Sequence, residues 1–357
     1  MRHLGLTLLI TKSVDFERYA FEMSILFVTD ERFLDHVPGR RHPEQPARLQ
    51  AVWSGLEMAG IKDAMIWKEP YFPSNEDLLR CHISDHLLFL SKLDEKGGGR
   101  IDDDTAMNAK SWINIQLAAG AGFAAIDALR REEADFAFCA IRPPGHHATS
   151  SRAMGFCFIN NIAAAAASLI EMNERVAIID IDAHHGNGTQ DIFYDDSRVL
   201  YLSVHQWPLF PGTGSDEEMG IDAGLGTTIN LPLPAGSTGD AYRHAFSKVI
   251  IPSIECFNPD WLLISAGFDG HRSDPLTDLG LTSGDYADFF IRLSGLVSKS
   301  RCVFFLEGGY DLDALAVSTG ASLAALLGVS YRPESSSNGG PGHDAVDRVA
   351  TRHGFDL

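Results

Sequence analysis

Four short motifs hold most of the residues able to do chemistry in this chain. The first, Asp180-Ile181-Asp182-Ala183-His184-His185-Gly186-Asn187-Gly188, begins as a strand and ends in a glycine turn. Strand side chains alternate between faces, so Asp180, Asp182 and His184 share one side while Ile181 and Ala183 meet the packing. Two carboxylates and an imidazole at the end of an apolar strand are costly unless paired or bound to a metal. The second, Arg142-Pro143-Pro144-Gly145-His146-His147-Ala148, presents adjacent histidines on a proline-stiffened loop, a candidate for acid–base work. The third, Ser265-Ala266-Gly267-Phe268-Asp269-Gly270-His271, ends an apolar run on Asp269. The fourth, Leu306-Glu307-Gly308-Gly309-Tyr310, lets the backbone approach a ligand closely and sets a phenol beyond it. Taken singly, each also reads as structure: capping aspartates, satisfied histidines, a surface tyrosine after a turn.

The elements that must position these motifs follow from hydrophobic patterning. Strands are expected over residues 24–30, 134–142, 176–182, 199–205, 227–233, 261–269 and 302–307, several as continuous apolar runs suited to burial on both faces. Helices are expected over 46–59, 106–131, 160–173, 240–254, 283–300 and 312–327. This alternation predicts the α/β class: a single domain over 23–330 with a mostly parallel sheet and helices on both faces. Residues 1–22 read as an extension that the sequence does not assign to the native protein or to an over-extended start. The Ser-, Gly- and Pro-rich run at 333–342 begins a tail, 331–357, expected to be loose. All four motifs then stand at carboxyl ends of different strands, where open α/β sheets bind ligands. Unrelated structural features would be scattered.

Asp182, His184 and Asp269 together supply three metal ligands and leave a position for water, as in a catalytic zinc site. Two carboxylates with one imidazole also suit Fe(II), Co(II) or Mn(II). A bound metal acidifies its water and polarises an amide carbonyl. One histidine of the 146/147 pair takes the proton and returns it to the leaving amine, and Tyr310 donates to the oxyanion. Asp180 is placed to orient His146, and Asn187 to orient His147.

The remaining composition bounds this reading. The chain has 357 residues, 45% hydrophobic and 22% charged, enough for one large domain. Forty-eight acidic against 29 basic residues give a net charge of −19, which disfavours nucleic acid and suits either solubility or a cationic substrate. Five cysteines without a CxxC pair point to a reducing compartment, and a cytoplasmic location is expected. The apolar stretch at 4–10 is too short for a signal peptide, and no uninterrupted membrane span is read elsewhere, so no membrane partner is expected. Self-association stays open.

In order along the chain, RPPGHHA, GFCFINN, DIDAHHGNGTQ, SVHQ, PGTG, SAGFDGHRSDPL and LEGGY resemble the histone deacetylase family and its bacterial deacetylase-like amidohydrolase relatives. HPEQPARL at 42–49 is similar to the loop at that family's pocket entrance, and the likeness extends over 24–330. It implies the arginase/deacetylase fold, with a sheet of about eight strands. It also implies Asp182, His184 and Asp269 as zinc ligands, His147 as general base and acid, His146 as an electrostatic partner and Tyr310 as the oxyanion donor. Phe156 and Phe210 become the walls of a narrow tunnel, with Gly155 and Gly308 beside the substrate. A structural K+ or Na+ is implied at Asp180, Asp182, His184, Ser203 and Val204. Asn187 stands where one class has aspartate, which aligns the chain with the class II-like branch. Tyr310 stands where a weakly active subgroup has histidine, so a competent enzyme is expected.

The implied substrates are acylated lysine peptides or, alternatively, acetylated polyamines, which the motifs do not separate. The acidic run Asp102-Asp103-Asp104 either grips a substrate or is solvated loop charge. An arginase-like manganese enzyme fits RPPGHHA and LEGGY less well. A non-catalytic acyl-group sensor would lack a ligand or Tyr310, and neither is lost.

Overall fold

The computed structural model describes residues 23–355, so the extension over 1–22 lies outside the described residues. Among the described residues ten strands occur in chain order: β1 Ile25–Val28, β2 Met65–Lys68, β3 Gly98–Arg100, β4 Ala106–Asn108, β5 Phe136–Cys139, β6 Val176–Asp180, β7 Val199–Gln206, β8 Thr228–Leu233, β9 Trp261–Ala266 and β10 Cys302–Leu306. Eight form one sheet in the order β2-β1-β5-β10-β9-β6-β7-β8, and every pairing within it is parallel. The strands from β5 to β10 in this sheet are buried along their whole length, as continuous apolar runs require. The pair β3–β4 is a separate antiparallel hairpin.

Register puts the motifs in one row. Cys139 pairs with Phe305, Phe305 with Ser265, Ser265 with Asp180, and Asp180 with Ser203. Four strands therefore end at one height, and the chain leaving each enters the same space. Several sheet strands end two or three residues earlier than hydrophobicity suggests: β5 stops at Cys139, β6 at Asp180 and β9 at Ala266. Beyond those points the backbone turns toward the site, and the regular ladder gives way to single bonds such as the Ile181 N–H to the Ser265 carbonyl (3.0 Å) and the Phe268 N–H to the Gly308 carbonyl (3.0 Å).

Other differences have local causes. The eighth sheet strand, β2, is a half-exposed edge of four residues, too short for patterning to register. The helix expected from residue 106 begins at Ser111, because 106–108 forms β4 and the Ser111 hydroxyl accepts the Asn108 N–H (2.8 Å). The helix expected over 240–254 is broken by a π-turn at Phe246–Ile250, just before Pro252, whose missing N–H interrupts the α-helical ladder. The helix Ser111–Arg130 is long and apolar enough to cross a membrane by length and composition, contrary to expectation, but most of it is buried inside the fold.

The loose tail is corrected outright. Residues His343–Arg352 form a helix packed on β8, with Val346 and Val349 fully buried. The 333–342 run is bonded to the body, for example by Ser337, whose N–H and hydroxyl both reach Asp285. Its small residues allow close approach rather than looseness. All five cysteines are free thiols, four buried and Cys256 exposed.

Candidate active site

Asp182, His184 and Asp269 come together as the sequence expects. One ligand atom from each lies within 4.8 Å of the others, and all three residues are buried. Beyond the end of β6, side chains extend the strand's alternation: Asp180 Oδ1 accepts the Asp182 N–H (3.1 Å), and Asp182 Oδ1 accepts the His184 N–H (2.9 Å). Asp269 is fixed by the Ala183 N–H (2.8 Å) and lies 2.9 Å from His184 Nδ1. Glycines keep this space clear: a Cβ at Gly308 would lie 2.1 Å from Asp269 Oδ2 and 2.6 Å from Asp182 Oδ2.

The electrostatics fit a cation. Burial and the neighbouring Asp182 push the Asp269 carboxyl up to about 7. Burial opposes charge on His184, yet Asp269 and Asp182 outweigh it and raise its pKa to about 10. Carboxylates are thus crowded in a buried site, a strain that a divalent ion would relieve. The donor set is that of a three-ligand metal centre.

The histidine pair lies beside the cluster. His146 and His147 rings are 4.0 Å apart between centroids, and His147 is 6.2 Å from His184. His146 Nδ1 meets Asp180 (3.0 Å), and His147 Nδ1 meets Asn187 Oδ1 (2.9 Å), as expected of both pairs. Burial lowers the His146 pKa, but Asp180 and Asp182 outweigh it and bring it up to about 10. Burial and the neighbouring His146 and His184 push His147 well below the usual imidazole range. Two adjacent histidines therefore differ in charge, His146 cationic beside its carboxylates and His147 neutral because it is buried between two other histidines.

Phe156 and Phe210 flank this pair. Phe210 stands edge-on to His147 at 5.1 Å and is 41% exposed, while Phe156 stands edge-on to Tyr310 at 5.7 Å. Gly155 and Phe156 both hold left-handed backbone (φ 55° and 68°), a strain that only a supported loop maintains in a phenylalanine. Support comes from Thr105, whose hydroxyl accepts the Phe156 N–H (3.1 Å). The acidic run builds that support: Asp102 accepts the Asp104 and Thr105 N–H groups, Asp104 takes the Thr105 hydroxyl, and Asp103 faces Arg100. Ser203 and Val204 are buried on β7, near the metal cluster's strand. Gly308 lies within the metal cluster, its N–H donating to Asp182 Oδ2 (2.8 Å).

Several charged residues that sequence reasoning left without a role prove central. Glu44 is fully buried between Arg142 (2.5 and 2.6 Å), Arg48 (3.3 Å) and His36 (3.4 Å). Arg48 donates to the carbonyls of Gly309 and Glu307, and its guanidinium sits 4.9 Å over the Tyr310 ring. Glu307 accepts the N–H groups of Gly145 (2.7 Å) and His146 (3.2 Å), and burial pushes its carboxyl up to about 7. Asp274 accepts the Tyr310 N–H (2.6 Å). Glu307 and Asp274 lie within the LEGGY and SAGFDGHRSDPL segments, where a charge beyond an apolar strand end was the available signal; nothing local marks Glu44 or Arg48.

The histone deacetylase domain model matches residues 42–326. A probable deacetylase of Archaeoglobus fulgidus is 41% identical over 308 residues, covering 84% of this chain and 86% of that protein. A chloroplastic histone deacetylase 14 of Arabidopsis thaliana is 40% identical over 309 residues (80% and 73% covered). A histone deacetylase-like amidohydrolase of Pseudomonas aeruginosa is 38% identical over 280 residues (76% and 73% covered). The crystal structure of the HDA15 HD domain superposes with a TM-score of 0.86 at 33% identity, over 93% of this chain and 94% of that one. With a buried Asp-His-Asp cluster at the ends of an eight-stranded parallel sheet and this breadth of likeness, the chain belongs to the histone deacetylase family of deacetylase hydrolases.

Proposed function

We propose that the chain is a zinc-dependent deacetylase that removes acetyl or a similar short acyl group from lysine side chains of peptides. The observation that carries this reading is the buried Asp182–His184–Asp269 cluster beside the paired histidines. Zinc held by those ligands supplies Lewis acidity toward the amide carbonyl and acidifies a water. The His147 Nδ1–H donates to Asn187, which leaves Nε2 to take the water's proton and hand it to the amine nitrogen as the C–N bond breaks. Its depressed pKa keeps it neutral and ready to act as a base. His146, held cationic by Asp180, stabilises negative charge beside it without itself exchanging a proton. Burial keeps the Tyr310 phenol protonated, so it donates to the oxyanion. Acetate and the free amine are the products. A K+ or Na+ ion at Asp180, Asp182, His184, Ser203 and Val204 belongs to the same proposal, supported by the burial of all five residues.

Acetylated polyamines are the second reading, and it needs acidic groups free at the mouth. Asp102 and Asp104 are engaged in their own hairpin, leaving the exposed Asp103 opposite Arg100, which supports the peptide reading. The test is kcat/KM of the zinc-loaded protein on acetyl-lysyl peptides beside acetylated polyamines, with Asp269→Ala as the blank. Preference for peptides is expected. Preference for polyamines would reverse the choice, and turnover undiminished in the blank would remove the metal from the reaction.

A further inference from the structure

The loop between β9 and the helix Ser283–Ser294 carries two parts of the site at once. It carries Asp269 and Asp274, and the Asp274 carboxylate accepts the N–H groups of Tyr310 (2.6 Å), Asp311 (3.2 Å) and Leu276 (3.0 Å). Thr277 closes it back on itself by donating to the Asp269 carbonyl (2.5 Å). Arg272 N–H donates to the Leu281 carbonyl (2.9 Å), drawing the two ends of the loop together. The placement of this loop therefore sets both a metal ligand and the backbone of the phenol-bearing residue.

The C-terminal segment grips this loop from outside. Glu334 Oε2 lies 2.8 Å from His271 Nε2 and accepts the Ser283 N–H (2.9 Å), while Oε1 accepts from Arg272 (2.5 Å). His271 Nδ1 accepts the Ser273 N–H (3.2 Å), so its proton resides on Nε2 and points at Glu334. One carboxylate thus ties together both ends of the loop, residues 271–272 and 283. The strap is itself anchored: Thr282 donates to the Ser335 carbonyl (2.9 Å), Arg243 to the Ser337 carbonyl (2.7 Å), and the helix His343–Arg352 packs on β8. Glu334 lies past residue 326, where the family's domain model ends.

We propose that Glu334 is a positioning residue, and that the C-terminal strap holds Asp269 and Tyr310 in register for the reaction. This rests on the function proposed above for those two residues. Groups that orient a ligand from behind typically change metal affinity or activity by about 10–100-fold when lost. A loop shift of about an ångström has effects of similar size on turnover.

The test uses the full-length, zinc-loaded protein and compares Glu334→Ala, Glu334→Gln and Arg348→Ala. Arg348 belongs to the same C-terminal helix but pairs with Asp216 at the surface (2.9 Å), far in contacts from the loop. Three quantities are read: kcat and KM on an acetyl-lysyl peptide, the rate of zinc transfer to a chelating indicator, and Tm. For Glu334→Ala, kcat should fall about tenfold with KM changed less than about twofold, and zinc should leave roughly fivefold faster or more. Glu334→Gln, which keeps an acceptor oxygen, should recover part of both effects. Arg348→Ala should leave both at wild-type values.

Wild-type kcat and zinc release in Glu334→Ala, with only Tm lowered, would overturn the proposal and leave the strap a stabilising appendage. Equal losses in Arg348→Ala would overturn it too. If the alanine variant does not fold, Glu334→Gln decides alone: wild-type kcat and zinc release there reject the role. A wild-type protein that holds zinc but turns over no acetyl-lysine would defeat the proposed function, while zinc release would still judge Glu334.

Discussion

Replacing Glu44 by Gln removes one negative charge from a fully buried cluster while keeping volume and shape. Burial alone would raise this carboxyl, but Arg142, His36 and Arg48 outweigh it and hold it at about 2, against an ordinary 4.5. By linkage, that depression corresponds to about 3 kcal/mol of stability at neutral pH. An independent route agrees: breaking a buried ion pair by removing one partner costs about 3–5 kcal/mol. Unfolding entropy of about 2.1 cal/mol/K per residue gives about 0.7 kcal/mol/K for a chain of this length, so Tm should fall by about 4 °C. The pKa is depressed, so the contribution is complete above pH 4.5 and is lost as pH falls toward 2. The Tm difference between wild type and Glu44→Gln should therefore be constant near neutrality and narrow below pH 4.5. Calorimetry over this range is the assay. Because Arg48 also carries the Gly309 carbonyl and covers the Tyr310 ring, kcat should fall with Tm. A Tm change under about 1 °C, or a difference that widens on acidification, would refute the account of Glu44 as the charge that compensates both arginines.

Three further outcomes are expected. Tyr310→Phe should cut kcat by about 10²–10³ with zinc content unchanged, read by steady-state kinetics beside metal analysis. Gly308→Ala should lose zinc outright, since its Cβ would sit 2.1 Å from an Asp269 oxygen; bound metal after dialysis checks this, and full occupancy would contradict it. Asn187→Asp places a carboxylate against His147 Nδ1 and should raise the pKa of the acidic limb of kcat/KM by on the order of one unit. An unchanged limb would mean that His147 is not the group titrating there.

Much of the fold was legible because parallel strands covered on both faces tend to be continuous apolar runs; seven of the eight sheet strands were expected from patterning, several of them as such runs. The short edge β2 did not, since four half-exposed residues carry no period. The metal cluster and the histidine pair were legible because polar residues at apolar strand ends need a reason. The Glu44–Arg48–Arg142 network was not: its partners lie 4 and 98 residues apart, and no local pattern says that a charge will be buried. For the same reason the Ser/Gly run of the tail looked loose, because its hydrogen bonds go to residues 50 to 100 positions away. The acidic hairpin reads evenly as grip or solvated charge; its Asp103 is exposed, and through Asp102 and Thr105 it also buttresses Phe156, a role that no local pattern announces.

The row of strand ends that assembles the site also dates it in folding. Asp182 and Asp269 meet across 87 positions, and Gly308 reaches Asp182 across 126, each just beyond the end of a different strand of one sheet. No local stretch of chain can present the ligand set, in contrast to a zinc finger, whose ligands are close in sequence and whose metal drives folding. Closing loops of this length precedes any reward from the contacts they bring. A metal held by this cluster would therefore enter a nearly finished fold rather than nucleate it. Chelation should leave a folded apoprotein of lower stability, and zinc uptake during refolding should trail the recovery of the sheet.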